Sequence, residues 1–120
     1  MATPGDFDAL GPVRLVTHAN GPSIIYHPGG PEYHLHRDAL DKHGLDGSGY
    51  EFSGILRAVL ADTAPDTLGS LGFDPEAGTV SVYGNDLDAL LAAATTLHAL
   101  VTDADVLDAA VTAAAERKGR

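Results

Sequence analysis

The sequence predicts an α+β domain: a mainly antiparallel sheet of about four strands, arranged as two hairpins, with three or so helices packed on one face. Three observations carry that prediction. Two short runs rich in β-branched residues, Val13 to His18 and Ser23 to His27, flank the hairpin dipeptide Asn20-Gly21. A further strand pattern, Thr79 to Tyr83, follows the proline- and glycine-bearing turn Asp74-Pro75-Glu76-Ala77-Gly78. Apolar stripes at helical spacing occupy much of the second half.

Taken in order, residues 1–10 read as a loose lead-in to the first hairpin, which Pro28-Gly29-Gly30-Pro31 ends because proline cannot donate to a ladder. The segment Tyr33-His34-Leu35-His36 reads as extended, passing into a short helix from Arg37 to Lys42. Gly47 and Gly49 flank Ser48, and a positive φ is expected there, with Tyr50 and Phe52 as large apolar anchors beside the turn. A helix from about Glu51 to Ala61 follows, with Phe52, Ile55, Leu56, Val59 and Leu60 on one face, and Pro65 prevents its smooth continuation. Leu68 to Phe73 supplies a short first arm for the second hairpin. The next helix is capped by Asn85 and buries Leu87, Leu90, Leu91, Ala94, Leu97 and Val101. Asp103 caps a last helix in which Val106, Leu107, Ala110, Val111 and Ala114 face inward, with a kink or a break at the joint.

Composition bounds the function. A single domain spanning 1–120, with 44% apolar residues, has enough chain to bury a core. No run approaches the ~20 apolar residues of a membrane span, and the N-terminus lacks the basic and apolar regions of a secretory signal. The absence of cysteine excludes disulfides and thiolate metal sites and fits a cytoplasmic location. Lys and Arg number 7 against 17 Asp and Glu, a net charge of −10. From Ala58 to Glu116 there is no Lys or Arg, while ten acidic residues occur; the basic residues of 117–120 are expected to fray into solvent. Such a field repels nucleic acids and anionic membranes and steers a basic partner toward the chain.

No enzyme class emerges. His34 and His36, alternating on a strand, would project from one side and could begin a zinc site with Glu32 or Asp38, but no third ligand stands at diagnostic spacing. His98 lies beside an apolar stripe, where a partly buried, hydrogen-bonded ring is expected. Gly47-Ser48-Gly49 lacks the lysine and remaining glycines of a phosphate loop. Asp86 with Asp88, and Asp103 with Asp105, sit at helix starts, where caps and dipole partners belong. No catalytic residue and no cofactor are expected.

From about Leu45 onward the chain resembles the immunity protein 51 family of bacterial polymorphic toxin systems. The resemblance runs through Gly47-Ser48-Gly49-Tyr50-Glu51-Phe52, Ile55 to Leu60, Phe73 to Gly78, the strand Thr79 to Tyr83, and Asp88-Ala89-Leu90. Phe52 stands where family members commonly carry tryptophan; both are large apolar residues that fill one pocket. The resemblance implies a small cytosolic protein that binds and neutralises a co-encoded toxin domain. Asp62, Asp66, Asp86, Asp88, Asp103, Asp105 and Asp108 are then the candidate face for a basic toxin, the free chain being a monomer or weak homodimer. The alternatives are a metal- or small-ligand-binding domain using His27 to His43, and a homo-oligomeric scaffold packed through the alanine-rich last helix.

Overall fold

In the computed structural model, residues 1–118 are described, with side chains through Glu116; the basic tail expected at 117–120 lies outside the described side chains. A 3-10 helix, Pro4–Leu10, leads by a cis Gly11–Pro12 bond to β1 (Arg14–His18) and β2 (Gly21–Tyr26). Then come α1 (Tyr33–Lys42), α2 (Gly49–Thr63) and α3 (Pro65–Gly69). Strands β3 (Gly72–Phe73) and β4 (Val80–Tyr83) precede α4 (Leu87–Thr102) and α5 (Ala104–Lys118).

The four strands are antiparallel throughout, in the order β1-β2-β4-β3, so the β2–β4 pairing joins the two expected hairpins into one sheet. Register places Leu15, Ile24, Val82 and Phe73 in one row and Tyr26 beside Val80 in the next. Directly paired residues share a face, and it is this face that α2 and α4 cover. Ile24, Tyr26, Val80 and Val82 are accordingly fully buried there, against Phe52, Leu56, Leu90 and Leu97. The opposite face carries Arg14, Val16, Ile25, Ser81 and Tyr83, and among the described residues no α-helix packs on it as α2 and α4 do on the first.

Three differences from the sequence reading have physical causes. The lead-in is not loose: Phe7 enters the core at 4% exposure, and the Ala2 amide donates to the Asp88 carboxylate. Phe7 and the bond from Ala2 tie the segment to α4, and Thr3 and Asp6 cap its 3-10 helix reciprocally. Helix α1 begins at Tyr33, not Arg37, because His36 is a core residue; Tyr33, His36, Ala39 and Leu40 then recur at helical spacing. Pro65 does interrupt α2 as expected, and it also opens the short helix α3. The first hairpin turns at Ala19-Asn20, since His18 pairs with Gly21, and Gly21 takes φ 120°. As expected, the joint at Asp103 separates two helices, and α4 and α5 meet there at 109°.

The glycine loop also works differently from expectation. Ser48 starts α2 with a reciprocal cap: Glu51 N–H donates to Ser48 Oγ, and Glu51 Oε1 accepts from the Ser48 and Gly47 amides. Gly47 has the positive φ, 81°, whereas Gly49 is the first helical residue and its φ is not positive. Gly49 is needed because a Cβ there would collide with the backbone of Glu76 and Thr79; its amide donates to Ala77 O at 2.8 Å. Tyr50 is no anchor, at 59% exposure, while Phe52 is fully buried.

Candidate partner-binding surface

Four of the seven acidic candidates hold helix starts or tie elements together through their side chains. Asp86, rather than Asn85, caps α4, accepting from the Asp88 amide at 2.9 Å and the Ala89 amide at 3.4 Å. Its side chain starts one residue nearer the first helical amides, which Asn85 does not reach. Asp103 caps α5 in the same manner, accepting from the amides of Asp105 at 2.9 Å and Val106 at 3.3 Å. Asp88 receives the Ala2 amide. Asp108 accepts from Lys42 Nζ at 2.9 Å and lies 2.6 Å from His43 Nε2, tying α5 to α1. These partners, Lys42 before His43, hold the Asp108 carboxyl below the usual carboxylate range.

Asp62 on α2, Asp66 on α3 and Asp105 on α5 are exposed and cap no helix through a side chain. The seven candidates do not converge on one spot. Asp86 and Asp103 stand at opposite ends of the 16-residue α4, roughly 25 Å apart at 1.5 Å per residue. The structure brings Asp86 beside Asp88 and Asp103 beside Asp105, but not the first pair beside the second.

The histidines do not assemble either. On α1, His34 and His36 are two residues apart and face different sides, which overturns the strand geometry expected for them. His34 Nδ1–H donates to Pro31 O at 2.6 Å; His36 Nδ1–H donates to Val101 O at 2.6 Å, with its ring edge-on to Phe52 and Tyr33. His98 is half-buried and its Nδ1 has no partner, contrary to the hydrogen bond expected for it. Among the described residues, no group of three or more His, Asp or Glu is placed to hold a metal ion. The polar interior is instead occupied by Tyr26 Oη–H, which donates to Glu32 Oε1 at 2.6 Å. Burial, then this bond and the Glu32 charge, push the Tyr26 hydroxyl pKa up, so the group stays a donor.

The surface does contain shaped depressions. Helix α5 rises as a ridge of small side chains over α2, with an apolar groove on each flank. One, of about 780 Å³, runs between Gly54, Ala58 and Ala61 of α2 and Val111, Ala114 and Ala115 of α5, with Tyr50 and Arg57 also lining it. The other, of about 510 Å³, lies among Val59, Asp62 and Thr63 of α2, Thr95, Thr96 and Ala99 of α4, and Val106, Ala109 and Ala113 of α5. A third, polar concavity of about 670 Å³ opens on the uncovered side of the sheet around Tyr83, with His18, Ser23, Ser81 and Asp74. The sequence reading missed all three. The available signal was the alanine-rich stretch Ala109 to Ala115, five of whose seven side chains are too small to fill the space beside a helix.

No single described helix is long and apolar enough to cross a membrane. Comparison with curated proteins finds no match, and comparison with solved structures finds none. The model of the immunity protein 51 family matches residues 32–116, which begin earlier than the resemblance at Leu45 suggested. That span holds α1 to α4, all but the last two residues of α5, and the second hairpin, together with every one of the seven acidic candidates and both grooves beside α5. With more than half of its length matched, the chain belongs to the immunity protein 51 family.

Proposed function

We propose that this protein binds its cognate toxin domain in the cytoplasm and neutralises it by occlusion, presenting an acidic surface to a basic one. The toxin partner is what membership of the family implies; the charge mechanism is our reading. The observation that supports it is the composition of the surface between Ala58 and Glu116. Of the ten carboxylates in that stretch, all but the half-buried Asp108 are exposed, and the stretch contains no Lys or Arg. A toxin that acts on nucleic acid needs a cationic substrate path, and an anionic protein lies across such a path by the same attraction. The protein acts by binding, without catalysis or a cofactor.

None of Asp62, Asp66 and Asp105 caps a helix through its side chain, so neutralising them spares the caps of α4 and α5. The variant Asp62→Asn, Asp66→Asn, Asp105→Asn is expected to associate with the toxin domain about 3- to 10-fold more slowly at low salt, with a flatter dependence on ionic strength. An unchanged association rate and salt slope would refute electrostatic occlusion.

A further inference from the structure

We infer that β1 pairs with the β1 of a second copy of this chain, antiparallel and centred on Val16, so that two sheets join into one. The inference goes beyond the toxin-binding reading and does not depend on it. Its starting point is the ladder of the first hairpin. His18 pairs with Gly21, and Thr17 pairs with Pro22, which has no N–H to donate. Pro22 O turns to the other side of β2, where it accepts from Gly84 N–H at 3.4 Å. Thr17 and Pro22 are therefore a pair whose main-chain groups point away from each other, and alternation gives Leu15 and Ile24 the same character. Thr17 and Leu15 thus direct N–H and C=O outward at the β1 edge. The 3-10 helix lies against β1 and α4, but among the described residues it makes no backbone hydrogen bond to the strand.

An edge of this kind takes an extended strand, with main-chain bonds supplying the affinity. β1 is five residues long, in unbroken register with β2, and Leu15, Val16 and Thr17 include none of the lysines or prolines that ordinarily blunt an edge. The opposite edge strand, β3, has only two residues. Charge decides which strand β1 takes. Between Asp8 and Glu32 the chain has no acidic residue, although it holds 17 Asp and Glu in all. Two copies of net charge −10 repel each other, and the first hairpin adds no carboxylate to that repulsion. A cationic toxin segment, by contrast, would meet Arg14 there and no carboxylate on either strand. Pairing about Val16 is also self-complementary, as a two-fold interface has to be. Leu15 of each copy meets Thr17 of the other, N–H to C=O in both directions, and the two Val16 side chains adjoin on the uncovered face. A seam of one strand pair is small, so the dimer is a weak one.

Sedimentation equilibrium tests the seam on the native chain, Thr17→Pro, Val16→Lys and Val16→Glu, with circular dichroism confirming that each is folded. Thr17→Pro removes an outward N–H opposite a residue that is already proline, so the hairpin loses no ladder bond. The native chain is expected to dimerise with a dissociation constant on the order of 10–100 μM. Each variant is expected to weaken that association by about 10-fold or more, the Val16 variants because like charges then meet at the two-fold axis. An equimolar mixture of Val16→Lys and Val16→Glu should recover it to within about 3-fold of native, since opposite charges then face each other. Native chain that stays monomeric at about 500 μM would overturn the inference and leave the immunity reading intact. So would a dimer that persists in all three variants, because it would be built on another surface. Loss of toxin affinity in Thr17→Pro, with the native chain monomeric, would also overturn it, since the edge would then hold a strand of the toxin.

Discussion

Gly49 and Thr79 meet backbone to backbone. The first residue of α2 lies so close to the turn before β4 that a Cβ on Gly49 would stand 2.7 Å from the Thr79 carbonyl carbon, and closer still to two carbonyl oxygens. This contact docks the start of α2 onto the second hairpin, with the bond from Gly49 N–H to Ala77 O beside it. The expected need for glycine was right in position and wrong in cause: close approach, rather than a left-handed φ.

Gly49→Ala therefore destabilises by about 2–4 kcal/mol, since backbone rather than a flexible side chain must move. Gly47→Ala costs about 1–2 kcal/mol, because φ there is 81° and Leu40 Cδ1 stands 2.9 Å from the new Cβ. Urea unfolding of the two variants checks the order: Gly49→Ala the weaker.

Ser48→Ala removes the side-chain acceptor for the Glu51 amide and costs about 1 kcal/mol. Glu51→Ala loses the reciprocal bonds to the Gly47 and Ser48 amides, so the double variant should lose less than the sum of the singles. Additive losses would show that the two halves of the cap act independently.

Tyr26 governs the alkaline limb of stability. Its folded pKa lies above its unfolded value, so its contribution is complete below about pH 10 and is lost as pH rises further. In Tyr26→Phe that alkaline decline is absent. The variant is less stable at neutral pH by about 1–3 kcal/mol, because buried Glu32 loses its donor. Denaturation midpoints between pH 7 and 11 for the two proteins test both statements.

Asp108 acts with the opposite sign. Its folded pKa lies below its unfolded one, so its stabilisation is present above about pH 3.9 and is lost as pH falls through the lower folded value. The native chain and Asp108→Asn should differ slightly in melting temperature at pH 6 and converge in strong acid. A constant difference across that range would contradict the ion-pair account.

Much of the fold was legible because local signals agreed with tertiary demands. The two hairpins, the amphipathic stripe of α2 and the Asp103 cap follow from turn chemistry and periodicity. What was hidden turned on burial of polar side chains. His36 reads as a surface residue until its ring is seen on Val101 O among Phe52 and Tyr33, and with that residue misread the start of α1 is lost. The Ser48–Glu51 cap was written in the sequence, three residues apart, but the flanking glycines drew attention to loop angles instead. The acidic surface was legible as composition only. Which carboxylates are committed to helix starts depends on a one-residue shift between Asn85 and Asp86, below what periodicity resolves. The grooves beside α5 are packing features, set by the 109° crossing between α4 and α5 and by how small side chains fit over α2.

The most direct measurement is a titration of the native protein into its isolated cognate toxin domain, following heat release and toxin activity in the same range. The account predicts saturable binding at one protein per toxin, with toxin activity vanishing at the same equivalence point. Toxin activity that persists at saturating protein, or no binding between two folded partners, would contradict it.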